Sequence, residues 1–214
     1  MAATKIDLKL LVSVIGLVVA IEYAGLLISM VTAISPLLRL GAVRTVEILV
    51  VSLLLMLQSG DTLLTDGGKV FLTIGIARGA LWSMVLAIMA VIAFFLLSAL
   101  GMNPLSMIRQ PLPHAGLKIA GYFLVGAVLS PVAEELVFRG VIYAAFRKWG
   151  FLPALLFSTV LFVLAHKTGY SAIPVPQILG GVIFALSYEL EKNLMVPITI
   201  HISGNFALFS ISLL

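Results

Sequence analysis

The sequence contains no cysteine. That removes a thiol nucleophile, a disulfide framework, Cys-ligated zinc and prenylation of this chain itself from consideration. Charge is scarce as well: Asp, Glu, Lys and Arg make up 10% of 214 residues, against about 25% in a soluble domain. There is no internal repeat, no low-complexity tract and no HExxH zinc signature. What fills the chain is apolar, with 62% hydrophobic residues and a mean hydropathy of +1.21. This composition defines an all-α fold, a polytopic membrane helix bundle. A spanning helix takes about 20 apolar residues, so the length accommodates about seven to eight transmembrane helices with short loops and no sizeable soluble domain. The net charge of +4 is scattered through loops, as suits a chain facing anionic lipid. It points to the lipid bilayer, and not to nucleic acid, as a partner.

Apolar runs bounded by charge, Gly and Pro give the expected order of elements. The run Leu10–Ile34 is too long for a signal-peptide core and reads as a retained first span. Val46–Leu57 is a short second one that can extend back through Arg44 by snorkelling. The stretch QSGDTLLTDGGK reads as a loop. Val70–Leu100 exceeds one perpendicular span, so its beginning, up to about Arg78, is expected to lie in the interface, and Arg78 to snorkel. A Pro-rich loop, GMNPLSMIRQPLPHAG, contains His114, expected to be solvated. Then follow Leu117–Arg147, interrupted at Ser130-Pro131, and the runs Phe151–His166, Ile173–Tyr188 and Leu194–Leu214. Lys and Arg divide almost evenly between the two sides, so charge sets no orientation.

Few polar side chains remain at membrane depth: Glu22, Arg78, Glu134, Glu135, Arg139, His166, His201 and Asn205. A charge at the centre of a membrane helix costs about 2.5–3.5 kcal/mol on insertion scales, so the cluster SPVAEELVFRG demands a reason. Ser130-Pro131 reads as a helix start or a sharp kink, since serine caps well and proline fits the first turn. Glu134 and Glu135 then sit one turn into a helix, where the dipole favours a carboxylate. Successive helical residues point about 100° apart, so the two glutamates cannot share one task. Glu135 and Arg139 are spaced as an ion pair, and helix–helix glue is the favoured role for it. Glu134 is left without a partner on its own helix. In FVLAH, Phe162 and His166 share a helical face. In HISGN, His201 and Asn205 do, with Gly204 expected to allow close backbone approach. Phe162 reads as a wall of the site, Glu22 as a helix contact and Gly180-Gly181 as a packing surface. A carboxylate and two imidazoles around a wet cavity suffice for hydrolysis. Glu134 can act as general base on water, the histidines can hold that water or a metal carrying it, and Asn205 with an imidazole can donate to the oxyanion.

The motifs Glu134-Glu135-xxx-Arg139, Phe162-xxx-His166 and His201-xxx-Asn205, in that order on successive helices, resemble the EExxxR, FxxxH and HxxxN motifs of the CPBP family. These are the CAAX prenyl protease and bacteriocin-processing intramembrane endopeptidases, also called the ABI family. Phe138-Arg139-Gly140 matches the usual extension of the first motif. The resemblance covers residues 116–214, which it makes a catalytic helical core, and leaves residues 1–115 as N-terminal transmembrane helices. It implies an intramembrane endopeptidase that uses a glutamate-activated water. Glu134 is then the base, His166 stands beside the water, His201 and Asn205 line the oxyanion site, and Glu135, Arg139 and Phe162 support them. It further implies zinc or another divalent metal on Glu134, His166 and His201, with a metal-free glutamate mechanism as the alternative. The implied substrate is a membrane protein or lipidated peptide, of CAAX type or other, and the implied location is the cell (plasma) membrane of a prokaryote. Two other functions compete. One is a non-catalytic membrane scaffold or bacteriocin self-immunity protein built on the same motifs. The other is a proton-coupled carrier, against which the lack of an inverted repeat weighs.

Overall fold

The structure is a computed structural model that describes residues 6–59, 66–113, 116–166 and 175–214. His114 and the middle of the QSGDTLLTDGGK stretch lie outside the described residues. Every regular element among the described residues is helical, and seven of the helices are long: α1 (Leu8–Val31), α2 (Pro36–Ser59), α3 (Asp66–Ala99), α5 (Gly116–Trp149), α6 (Phe151–Ala165), α7 (Val175–Glu191) and α8 (Met195–Ser212). A single-turn helix, α4 (Pro104–Ile108), lies in the Pro-rich connection, with Asn103 accepting from the Ser106 amide at its start. Five helices are long and apolar enough to cross a membrane: α1, α2, α3, α5 and α8. With 15 residues, α6 is apolar but shorter, reaching about 22 Å at 1.5 Å per residue. The chain is a multi-pass integral membrane protein.

Packing is inverted relative to a water-soluble domain. Large apolar side chains such as Leu53, Leu81, Ile88, Phe95, Leu124 and Leu156 face outward, while the best-buried large side chains include Arg139, Glu47 and Glu135. In lipid this is expected, because apolar surface costs nothing outside and charge must find partners inside. The apolar core lies between α1, α2, α5 and α8, around Val14, Val51, Phe138, Val141 and Val196. The outermost long helix is α3, which packs chiefly on α8. The approach is close because Gly75 and Gly79 lack side chains: a Cβ on Gly79 would stand 2.5 Å from Thr199 Cβ and 3.0 Å from the Val196 carbonyl. Gly150, at φ +116, turns the chain from α5 into α6 within one residue.

Sequence expectations are met in part for the second and third spans and corrected at Gly204 and at Ser130-Pro131. The second span begins at Pro36 and so extends back through Arg44, as expected, but Arg44 does not snorkel: it is held between two carboxylates. The third is one unbroken helix from Asp66, longer than one perpendicular span as expected, and Arg78, within it and largely exposed, pairs with Glu191 Oε2 at 3.3 Å. Gly204 permits no close approach: it is exposed, and a Cβ there would meet nothing within 4 Å. The other correction concerns Ser130-Pro131, which neither starts nor breaks a helix. Ser130 has helical angles (φ −61, ψ −51), and α5 runs on through Pro131. Two π-helical stretches, Phe123–Leu129 and Leu136–Tyr143, flank this point. The wider winding before Pro131 is how the helix accommodates a residue that has no N–H and crowds the preceding turn. Glu134 and Glu135 therefore sit in mid-helix, and the macrodipole argument for them does not apply.

Candidate active site

Glu134 and Glu135 occupy the short α-helical turn of α5 between its two π stretches. Being adjacent, they diverge, and each meets different partners. Glu135 is fully buried. Its Oε1 accepts from Arg139 Nη1 at 2.7 Å and from His201 Nδ1 at 2.9 Å. Arg139, also 0% exposed, donates its Nη2 to the Gly181 carbonyl at 3.1 Å. Its guanidinium lies over the rings of Phe162 (4.8 Å) and Phe184 (5.2 Å). The expected ion pair is thus present, and it also orients a histidine. Gly181 serves twice: its carbonyl takes the guanidinium, and its missing side chain lets α7 approach Thr159 of α6.

Glu134 points elsewhere. Its Oε2 is 3.3 Å from His166 Nε2 and 3.7 Å from His201 Nε2, and has no hydrogen-bond partner of good geometry. Glu134 is 14% exposed and His166 29%, so this side of the cluster opens outward. His166 stands at the C-terminal end of α6, and its Nδ1 is 2.8 Å from the Phe162 carbonyl. A carbonyl can only accept, so Nδ1 carries the proton and donates. The same reasoning applies to His201 Nδ1 against the Glu135 carboxylate. Both imidazoles, when neutral, therefore present bare Nε2 lone pairs toward Glu134 Oε2. Three lone-pair atoms converge, an arrangement that is stable only with a proton, a water hydrogen or a cation among them.

The aromatic frame holds these rings. Phe162 contacts the His166 ring at 4.4 Å, and Phe184 stacks on His201 at 4.4 Å with planes 20° apart. Asn205 lies one turn beyond His201 but uses its amide elsewhere, donating Nδ2 to the Gly126 carbonyl at 2.9 Å. That partner has a physical cause. In the first π stretch the Ser130 amide bonds the Val125 carbonyl, five residues back. The next bond in that register would run from residue 131 to Gly126, and Pro131 has no N–H to make it. Asn205 supplies the missing donor.

A carboxylate and two imidazole nitrogens, each histidine fixed through Nδ1 by a second partner, are donors of the type zinc takes. Among the described residues, however, no group of three or more His, Asp or Glu gathers closely enough to hold a metal as it stands.

The sequence reading missed Phe184, Arg44 and Glu47. Phe184 carries no polar signal. Arg44 and Glu47 were separable from a loop only by their spacing, which suits one helical face. The structure pairs Arg44 Nη1 with Glu47 Oε2 and, at 3.0 Å, with Glu22 Oε1, making Glu22 the helix contact expected of it.

The fold and these contacts define the class: a polytopic helical membrane protein with a glutamate–histidine cluster built from its last four long helices. Residues 116–207 match the family model for the type II CAAX prenyl endopeptidase Rce1-like domain. This segment, under half of the chain, carries the similarity to the CPBP family. It is 37% identical over 95 residues to the membrane-embedded CAAX protease MroQ of Staphylococcus aureus (strain USA300), covering 41% of this chain and 38% of that protein. It is 31% identical over 83 residues to YdiL of Bacillus subtilis (strain 168), described as a candidate membrane peptidase, covering 38% of this chain and 33% of YdiL. The chain thus matches well under half the length of these relatives. No solved structure matches it.

Proposed function

We propose that this protein is an intramembrane endopeptidase that cleaves membrane-associated protein or lipidated-peptide substrates, of CAAX type or other, with a water activated by Glu134. The observation that carries this reading is the convergence of Glu134 Oε2 on two bare imidazole nitrogens, at 3.3 and 3.7 Å, in a partly open cluster. A water there can donate one hydrogen to the carboxylate and the other to an imidazole. Glu134 takes the proton as the water oxygen bonds the scissile carbonyl carbon. Asn205, on the face of α8 that carries His201, donates to the developing oxyanion by releasing Gly126, while the bare His201 Nε2 accepts from the water. Collapse breaks the C–N bond, and Glu134 returns its proton to the leaving amine. Glu135 and Arg139 hold His201 in the required tautomer. A divalent metal, when bound, would be held by Glu134, His166 and His201 and would supply Lewis acidity toward the carbonyl. The MroQ name, a membrane-embedded CAAX protease, supports the substrate class.

The test uses the full chain purified in detergent, with a prenylated CAAX peptide and a panel of small membrane proteins as substrates. Wild type is expected to cleave, and Glu134→Gln and His166→Ala to lose roughly 10²- to 10⁴-fold, the range for removing a positioned acid–base group. A chelator arm reports on the metal. No cleavage of any substrate, with both variants still functional in the cell, would sink the catalytic reading in favour of a scaffold.

A further inference from the structure

Among the described residues the three motifs leave a buried charged cluster unused, and it lies on α1 and α2, outside the segment matched by the family model. Arg44 Nη1 bridges Glu22 and Glu47, and Glu47 is 1% exposed. If these charges served only to fasten α1 to α2, an apolar pair would do so at least as well, because buried ion pairs commonly yield nothing over a packed hydrophobic replacement. Their location suggests more. Helix α2 packs directly on the turn of α5 that carries Glu134. Arg44 Nε, Glu47 Oε1 and Glu134 Oε2 are all buried without a hydrogen-bond partner. Close approaches on either side bracket the contact of α2 with α5: a Cβ on Gly41 would stand 3.1 Å from Val125, and one on Gly140 3.3 Å from Leu55, which sets Arg44 and Glu47 beside the Ser130–Glu135 turn.

We propose that Arg44 and Glu47 are positioning residues of the Glu134 site. Glu47, with Glu22, fixes the guanidinium, and the guanidinium holds the Glu134 carboxylate in place between α2 and the two imidazoles. Neither residue touches the reacting atoms. The inference rests on the hydrolytic reading above, and it makes the N-terminal helices part of the site and not only its lipid-facing support.

The test compares full-length wild type, Arg44→Met/Glu47→Leu, Arg44→Lys, Glu47→Gln and Glu134→Gln in detergent. Three readouts are taken: thermal unfolding, the ¹⁵N imidazole resonances, and kcat and KM on a farnesylated CAAX peptide. With three histidines in the chain, the imidazole spectrum is assignable by single substitutions. The double variant is expected to unfold within a few degrees of wild type. Its His166 resonances should move, and kcat should fall roughly 10- to 100-fold at unchanged KM, as when an outer partner of a site residue is lost. Arg44→Lys, which keeps the charge, should recover most of that loss. A folded double variant with wild-type imidazole resonances, or with wild-type kcat, overturns the proposal. Should the double variant not fold, wild-type resonances and kcat in Glu47→Gln overturn it equally. Cleavage by Glu134→Gln at the wild-type rate would refute the hydrolytic reading, while the imidazole spectra still decide whether the α2 pair acts on the cluster.

Discussion

Replacing Asn205 by Leu removes the donor that satisfies the Gly126 carbonyl. Nothing else in the π register can replace it, because the residue that would donate is Pro131. A partly buried carbonyl left unpaired costs about 1–3 kcal/mol. For a chain of this size each kcal/mol moves Tm by roughly 2–4 °C, so Asn205→Leu should lower Tm by about 2–12 °C. Pro131→Ala restores an N–H at the position facing that carbonyl. In the background of Pro131→Ala, therefore, Asn205→Leu should cost much less, and a double-mutant cycle should show coupling of about 1–2 kcal/mol, within the range for groups sharing one partner. Proteolytic activity should follow a different course: if Asn205 also serves the oxyanion, Pro131→Ala restores stability to the double variant but not turnover. The assay is thermal unfolding in one detergent, paired with the cleavage assay. Equal costs of Asn205→Leu with and without Pro131 would refute the reasoning, since they would mean that the Asn205 bond does not compensate for the proline.

Two further outcomes are expected. Arg139→Met alone leaves the Glu135 carboxylate buried and half-paired, at a cost of about 3–5 kcal/mol, and unfolding measurements should show it as markedly less stable than Glu135→Leu/Arg139→Met. Gly79→Ala forces a methyl into Thr199 and the Val196 carbonyl, an overpacking worth about 1–3 kcal/mol of lost stability, whereas Gly204→Ala meets open space and should be neutral or stabilising by up to about 1 kcal/mol in the same measurement.

The site was legible where charge stood out against an apolar background. Glu134, Glu135, Arg139, His166 and His201 are costly at depth, and the structure brings all five together. What was hidden depended on neighbours in space. Arg44 and Glu47 escaped because Arg44 was read as snorkelling at the start of the second span and Glu47 was left out of the polar set at depth; Glu47 on the same helix and Glu22 on another together make that turn tolerable. Pro131 misled because local rules make it a helix start, whereas a π turn and the side chain of Asn205 together carry the helix through it. The Gly204 reading failed for the converse reason: a small residue permits close packing but does not place a neighbour there, and the close contacts fall at Gly75 and Gly79 on α3.

The order in which these charges find partners along the chain has a consequence for biosynthesis. Arg139 meets Glu135 within one helix, and Arg44 meets Glu22 and Glu47 within the α1–α2 hairpin, so each can be neutralised soon after it enters the bilayer. Glu134 completes its set later: α2 precedes it, but its imidazoles arrive only on α6 and then on α8. A ribosome-bound intermediate lacking α8 would hold Glu134 with one of its two imidazoles. The cluster proposed to carry out hydrolysis is therefore complete only once α8 is in place.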